Sequence, residues 1–309
     1  GLSHTRPAMY ATLIGNAINV VLNYFLIFGF WIFPKMGVEG AALGTLISRI
    51  AMLLFMALYV RYNKRFISFA QNIVFKKPNW NLFKKIIRLG FPSALQMFFE
   101  VVFFTAAIWL SGFLGKNSQA ANQIALNLSS MTFMFAMGLG VTAMIRVGNQ
   151  KGKNDYEALK RIAYSIFLLM FIFDVLFCLF FLLTNNYLPW IYLDGSNPLQ
   201  ISDVTQVVKL ASTLLIVSAF FQISDGIQAV VLGALRGLQD VNIPAFIIFF
   251  AYGIFGLPIS FYLGLHTSLG VTGIWIGLLS GLTASAILLL IRFNYMTQKL
   301  ILNNPNGTT

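Results

Sequence analysis

Eight runs of about 20 or more predominantly apolar residues dominate the sequence, at roughly 8–30, 38–60, 89–113, 121–145, 161–184, 206–234, 243–264 and 270–293. About 20 such residues are what an α-helix needs to cross the hydrocarbon core of a bilayer. Backbone groups find no water there, so only helices and closed barrels span it. No ten-residue alternating strand pattern competes with the helical reading. The expected fold is all-α and integral to the membrane, with the lipid bilayer as the chain's main partner. A content of 58% hydrophobic against 10% charged residues excludes an ordinary soluble domain. Cys178, the single cysteine, lies within an apolar run and is read as packing, since no disulfide framework can form.

The formal net charge of +12 does not point to nucleic acid, because the basic residues are distributed by topology. With 61–88 placed in the cytoplasm, strict alternation of the helices puts 17 of the 21 basic residues on that side. The four others are Lys35, Lys116, Lys209 and the mid-helix Arg49. This is the positive-inside pattern of a cell-membrane, multi-pass protein with both ends of the chain cytoplasmic. Trp31, Trp109 and Trp190 fall near outer helix ends, as an interfacial aromatic belt requires. The basic stretch 61–88 reads first as a topology determinant and second as a surface for anionic lipid.

The chain also repeats itself. Gly1-Leu2-Ser3-His4-Thr5-Arg6-Pro7-Ala8 resembles the stretch from Gly237 to Ala245, and Gly37-Val38-Glu39-Gly40 resembles Gly270-Val271-Thr272-Gly273, at offsets of 236 and 233 residues. Parallel duplication is common in secondary transporters, whose substrate and ion sites lie between or inside the halves. By symmetry with the second half, about four further helices are expected to precede the first two.

Two acids sit where acids are expensive. Glu100 lies near the middle of 89–115 with no other charge in that run, and Asp225 lies inside 205–235. An ionised carboxylate at a helix centre costs roughly 2.5–3.5 kcal/mol on insertion scales, so it needs a cavity, a partner or an ion. Asp174, inside 162–183, and Arg49, inside 41–60, pose the same question. Asp174 reads as a buried structural partner or a lumen-facing group; Arg49 reads as lining a cavity or pairing with an acid outside this sequence.

At this point the residues resemble a known family, the multidrug and toxic compound extrusion (MATE) transporters, in their bacterial branch. The resemblance runs through Gly90-Phe91-Pro92 and Glu100, then Asn122-Gln123-Ile124-Ala125-Leu126-Asn127, then Arg146-Val147-Gly148-Asn149. It continues with Asp225 and Gly233-Ala234-Leu235-Arg236-Gly237. The resemblance implies two pseudo-symmetric six-helix lobes, with 1–60 the last two helices of the N-lobe, 61–81 a basic linker, 82–295 the whole C-lobe and 296–309 a cytoplasmic tail. It implies a monomeric antiporter that exports small lipophilic cations against an inward flow of sodium or protons. Glu100 and Asp225 match the C-lobe carboxylates associated with that coupling, sodium binding included. Two acids in a low-dielectric pocket do not both ionise readily without a cation. One departure is Phe221, where sodium-binding relatives often carry tyrosine one turn before the aspartate. Gln222, Ser224 and Asn127 are the alternative oxygen donors, while Asn19, Asn23 and Thr45 form a polar set on the first two helices whose other reading is helix packing.

Other features are weaker signals. Pro92, Pro244 and Pro258 start or kink helices, with Pro258 placed to support either bending or a static kink. Gly138-Leu139-Gly140 and similar pairs read as helix-packing sites. An enzyme is disfavoured, since His4 and His266 are far apart in sequence and no metal motif or nucleophile elbow occurs. A flippase for a lipid-linked saccharide shares the duplicated architecture, but would call for several cavity bases where the sequence offers Arg49. The remaining alternative is a chain inactive by itself.

Overall fold

The computed structural model describes residues 6–29, 34–63, 79–193 and 201–303. The N-terminal repeat copy up to Thr5, Trp31 and the linker segment 64–78 lie outside them. Eight helical spans are long and apolar enough to cross a membrane. They are α1 (Arg6–Phe28), α2 (Val38–Tyr62), α3 (Trp80–Phe113), α4 (Lys116–Gly152), α5 (Tyr156–Thr184), α6 (Ile201–Gly237), α7 (Asn242–Leu265) and α8 (Val271–Asn303). Each coincides with one of the apolar runs, and there is no strand among the described residues.

The helix ends differ from the hydropathy reading. α3 begins at Trp80, nine residues before the apolar run at 89, because Lys84, Lys85 and Arg88 form helix well while hydropathy scores them as loop. α8 continues to Asn303 for the same reason. α5 starts at a conventional cap, with the Asp155 carboxylate accepting from the Ala158 amide at 2.9 Å.

The chain divides into two compact units, Gly1–Asn79 and Trp80–Thr309. The first holds the α1–α2 hairpin. In the second, α6 is central and packs against α4, α5 and α8, while α7 lies against α3 and α8. Its core contains Trp275, Tyr252, Phe103 and Phe293, all fully buried. α4 and α6 approach backbone to backbone: a Cβ on Gly233 would overlap the Gly140 carbonyl, and one on Gly237 would overlap the Met144 carbonyl. Gly140, half of the Gly138-Leu139-Gly140 signal, is thus a packing glycine, whereas Gly138 faces open space.

The duplication is visible inside each unit. Gly37 and Gly270 both have positive φ, 56° and 55°, one residue before α2 and α8. Gly40 then seats against the Leu26 carbonyl of α1, as Gly273 seats against the Leu263 carbonyl of α7. One turn further on, Gly44 meets Asn23 and Gly277 meets Ser260. The α1–α2 and α7–α8 hairpins are therefore two copies of one packing scheme, including which residues face each other.

α7 is not uniform. Its middle, Phe250–Gly256, is π-helical and leads directly into Pro258. Proline supplies no N–H and its ring clashes with the carbonyl four residues back, so widening the preceding turns is a way to keep the helix continuous.

Candidate functional site

A cavity of about 510 Å³ opens among α3, α4 and α6 of the six-helix unit. Its α6 wall is one stripe at helical spacing: Phe221, Asp225, Gln228, Leu232 and Arg236. The α3 wall supplies Glu100 with Met97, Val101 and Phe104 at the same period. α4 contributes Gln123, Asn127, Ser129 and Phe133. The two acids singled out by sequence, 125 positions apart, thus line one space. Asp225 is 6% exposed and its Oδ1 has no hydrogen-bond partner among the described residues. Most of the remaining surface is apolar and aromatic; Phe221 meets Phe104 edge to face at 6.0 Å between ring centroids and Trp275 at 5.4 Å.

Of the expected oxygen donors, Asn127 lines the cavity, and its Oδ1 accepts from the Tyr192 hydroxyl at 2.9 Å. Gln222 and Ser224 do not line it. Gln222 is 4% exposed with both amide atoms unpartnered, and Ser224 shares a hydrogen bond of 2.8 Å with Thr283. In the α1–α2 hairpin, Asn19 donates to Thr45 Oγ1 at 3.3 Å and accepts from Asn23 Nδ2 at 3.2 Å, so the three form a local interhelical network. Arg49 is exposed on α2. Asp174 is 1% exposed and is not on the cavity wall, which removes the lumen-facing reading; no base pairs with it among the described residues.

Three groups escaped sequence reading. Arg236 reads in sequence as a topology determinant, yet it reaches the cavity and donates from Nε and Nη2 to Gln96 Oε1 at 3.1 and 2.9 Å. Gln96, fully buried, donates in turn to the Val241 carbonyl at 2.8 Å. Gln228 lies three residues beyond Asp225 and accepts from the buried Tyr252 hydroxyl at 2.6 Å, while Tyr252 stacks on Phe103. The signal that finds Gln228 and Arg236 is the stripe itself, at +3 and +11 from Asp225; nothing local marks Gln96.

Chemically, two carboxylates and one tethered guanidinium share an aromatic, mostly apolar chamber in which acids outnumber bases and ring faces attract positive charge. Among the described residues no cluster of three or more His, Cys, Asp or Glu side chains is arranged to hold a metal ion.

The family model described as MatE matches residues 92–262, the stretch that contains both acids. The chain is 33% identical over 300 residues to a probable multidrug resistance protein NorM of Shewanella oneidensis, covering 96% of this chain and 63% of that protein. It is 35% identical over 303 residues to the multidrug resistance protein MdtK of Photorhabdus laumondii, covering 97% of this chain and 64% of that one. The fold matches the eukaryotic MATE transporter AtDTX14 with a TM-score of 0.81 at 20% identity, over 95% of this chain and 64% of that structure. It matches an outward-facing multidrug resistance MATE transporter of the MOP superfamily equally well, at 19% identity over 95% and 62% of the two chains. The chain thus spans a little under two thirds of the length of these relatives.

Proposed function

This chain belongs to the MatE family, the multidrug and toxic compound extrusion transporters, and from that premise we propose that it works as a secondary antiporter exporting lipophilic cations. It is a multi-pass membrane protein. In the proposed reading it sits in the cytoplasmic membrane with both ends inside, acts as a monomer, and is driven by sodium or proton entry. Glu100 and Asp225 bind the coupling cation, with Asn127 as an oxygen donor at the same cavity. The observation that carries the reading is that these two intramembrane acids, from different helices, line one aromatic chamber.

The physical logic is competition. With the chamber empty, paired acids hold protons or sodium, because two bare carboxylates repel in low dielectric. A cationic substrate offers the same neutralisation, so its binding displaces the coupling ion and the reverse step releases it. A flippase for an anionic lipid phosphate fits less well: among the described residues Arg236 is the one base that lines the cavity, and it is already engaged by Gln96 and outnumbered by acids.

The test is efflux of a fluorescent lipophilic cation from proteoliposomes holding the protein, with sodium and pH gradients imposed separately. Gradient-driven efflux in the wild type, lost in Glu100→Gln and in Asp225→Asn while both variants remain folded in the membrane, is the expected result. Normal transport by both variants would remove these acids from the coupling step.

A further inference from the structure

Asp174 is a charge-bearing residue that the proposed function leaves idle, and its surroundings are unusual. It lies in the middle of α5, on a stripe with Met170 and Cys178 that turns inward. Its two carboxyl oxygens rest on the backbone of Gly226: a Cβ there would overlap both of them and the terminal methyl of Met170. Gly226 is the residue after Asp225, so the Asp174 carboxyl rests against the α6 backbone beside that acid. Around this corner the polar atoms lack partners among the described residues: Asp174 Oδ2, Asp225 Oδ1, and both Nε2 and Oε1 of Gln222, one turn from Gly226 on the same face.

Among the described residues no base forms an ion pair with it. On α5 itself the nearest, Arg161, is 13 residues away, about 20 Å along the helix axis. On α4 the bases are Lys116, Arg146 and Lys151, near the helix ends; on α8 they are Arg292 and Lys299. On α6, Lys209 lies 16 residues from Asp225, and Arg236 is held by Gln96. The acids that face the corner are Asp225 and, across the cavity from it, Glu100.

We propose that Asp174 is a proton-binding site behind Asp225: a carboxyl that stays protonated and donates its O–H to the Asp225 carboxylate whenever Asp225 has given its own proton up. An ionised carboxylate buried without a partner is the costly alternative, whereas a neutral carboxyl is a strong donor. The hydrogen bond would join the two unpartnered oxygens, one from each acid. In the step, the Asp225 O–H bond breaks and its proton leaves to cavity water as the cation docks. The Asp174 O–H bond stays intact and turns to Asp225, so the corner never carries more than one negative charge. Asp174 is thus a positioning residue, and the idea rests on the coupling role proposed for Asp225.

The test is infrared difference spectroscopy of the full chain in lipid, with isotope-labelled aspartate marking the carboxyl bands and tetraphenylphosphonium as the probe cation. A protonated aspartyl C=O band at neutral pH, absent in Asp174→Asn and shifted when the probe displaces the Asp225 proton, is expected. In parallel, Asp174→Leu should weaken probe binding about tenfold, the worth of a hydrogen bond to a charged group, and Asp174→Asn, which keeps an N–H donor, should recover most of it. Absence of the band, or a band unmoved by the probe, overturns the proposal. If neither Asp174 variant folds, Asp225→Asn assigns the band: a protonated aspartyl C=O that persists there belongs to Asp174, and its loss there overturns the proposal. Probe binding unaffected by Asp225→Asn would instead sink the coupling reading, whatever the Asp174 band does.

Discussion

The tie between Gln96 and Arg236 sets the chemistry of the cavity's basic end. Arg236 delivers a guanidinium into a chamber of acids, and Gln96 fixes it with two N–H bonds on a single amide oxygen. Gln96→Leu should cost about 1–3 kcal/mol, the desolvation of donors left unpaired, and thermal unfolding in detergent measures it. Gln96→Glu keeps the acceptor, so retained stability in that variant alongside loss in Gln96→Leu would confirm the bond as the cause. Legibility at this scale followed isolation. Glu100 and Asp225 could be read from sequence because a carboxylate in an apolar run has no cheap explanation. Arg236 could not, because a base at a helix end is what topology alone demands, and its partner lies 140 residues away. Gln222 and Ser224 are expected as alternative oxygen donors, but neither lines the cavity: Gln222 is buried away from it and Ser224 hydrogen-bonds Thr283.

Helices were legible in number and place, and less so at their ends. Hydropathy detects the part of a helix that meets hydrocarbon, while Trp80–Arg88 and the last turns of α8 extend on polar residues that form helix equally well. How the helices meet was legible only in outline. Glycine pairs announce close approach without saying which of them is used, and the answer depends on phase. Gly233→Ala should destabilise the six-helix unit by about 1–3 kcal/mol through overpacking against Gly140. Gly138→Ala, facing open space, should be neutral or gain about 0.5–1 kcal/mol from helix propensity. Equal losses in both, read as melting temperature, would mean that backbone contact is not what holds α4 to α6. The π-helical stretch before Pro258 is the place where α7 departs from regular bonding.

At the scale of the molecule, the duplication announced by two short motifs proves to be a duplication of contacts. Leu26 and Asn23 hold Gly40 and Gly44 in the first unit as Leu263 and Ser260 hold Gly273 and Gly277 in the second. The proposed orientation makes a direct prediction. With Cys178 replaced by alanine, a cysteine at Lys153 or Lys299 should react with an impermeant thiol reagent only from the cytoplasmic face, and one at Lys209 only from outside. The reverse pattern would invert the topology. The shared glycine contacts also bear on how these hairpins respond to heat. Joining two helices through side chains means freezing rotamers, a cost that grows with temperature. Glycine has none to freeze, so on that face each hairpin closes with little entropic loss. Both copies of this joint should therefore be among the last parts of their units to separate on warming.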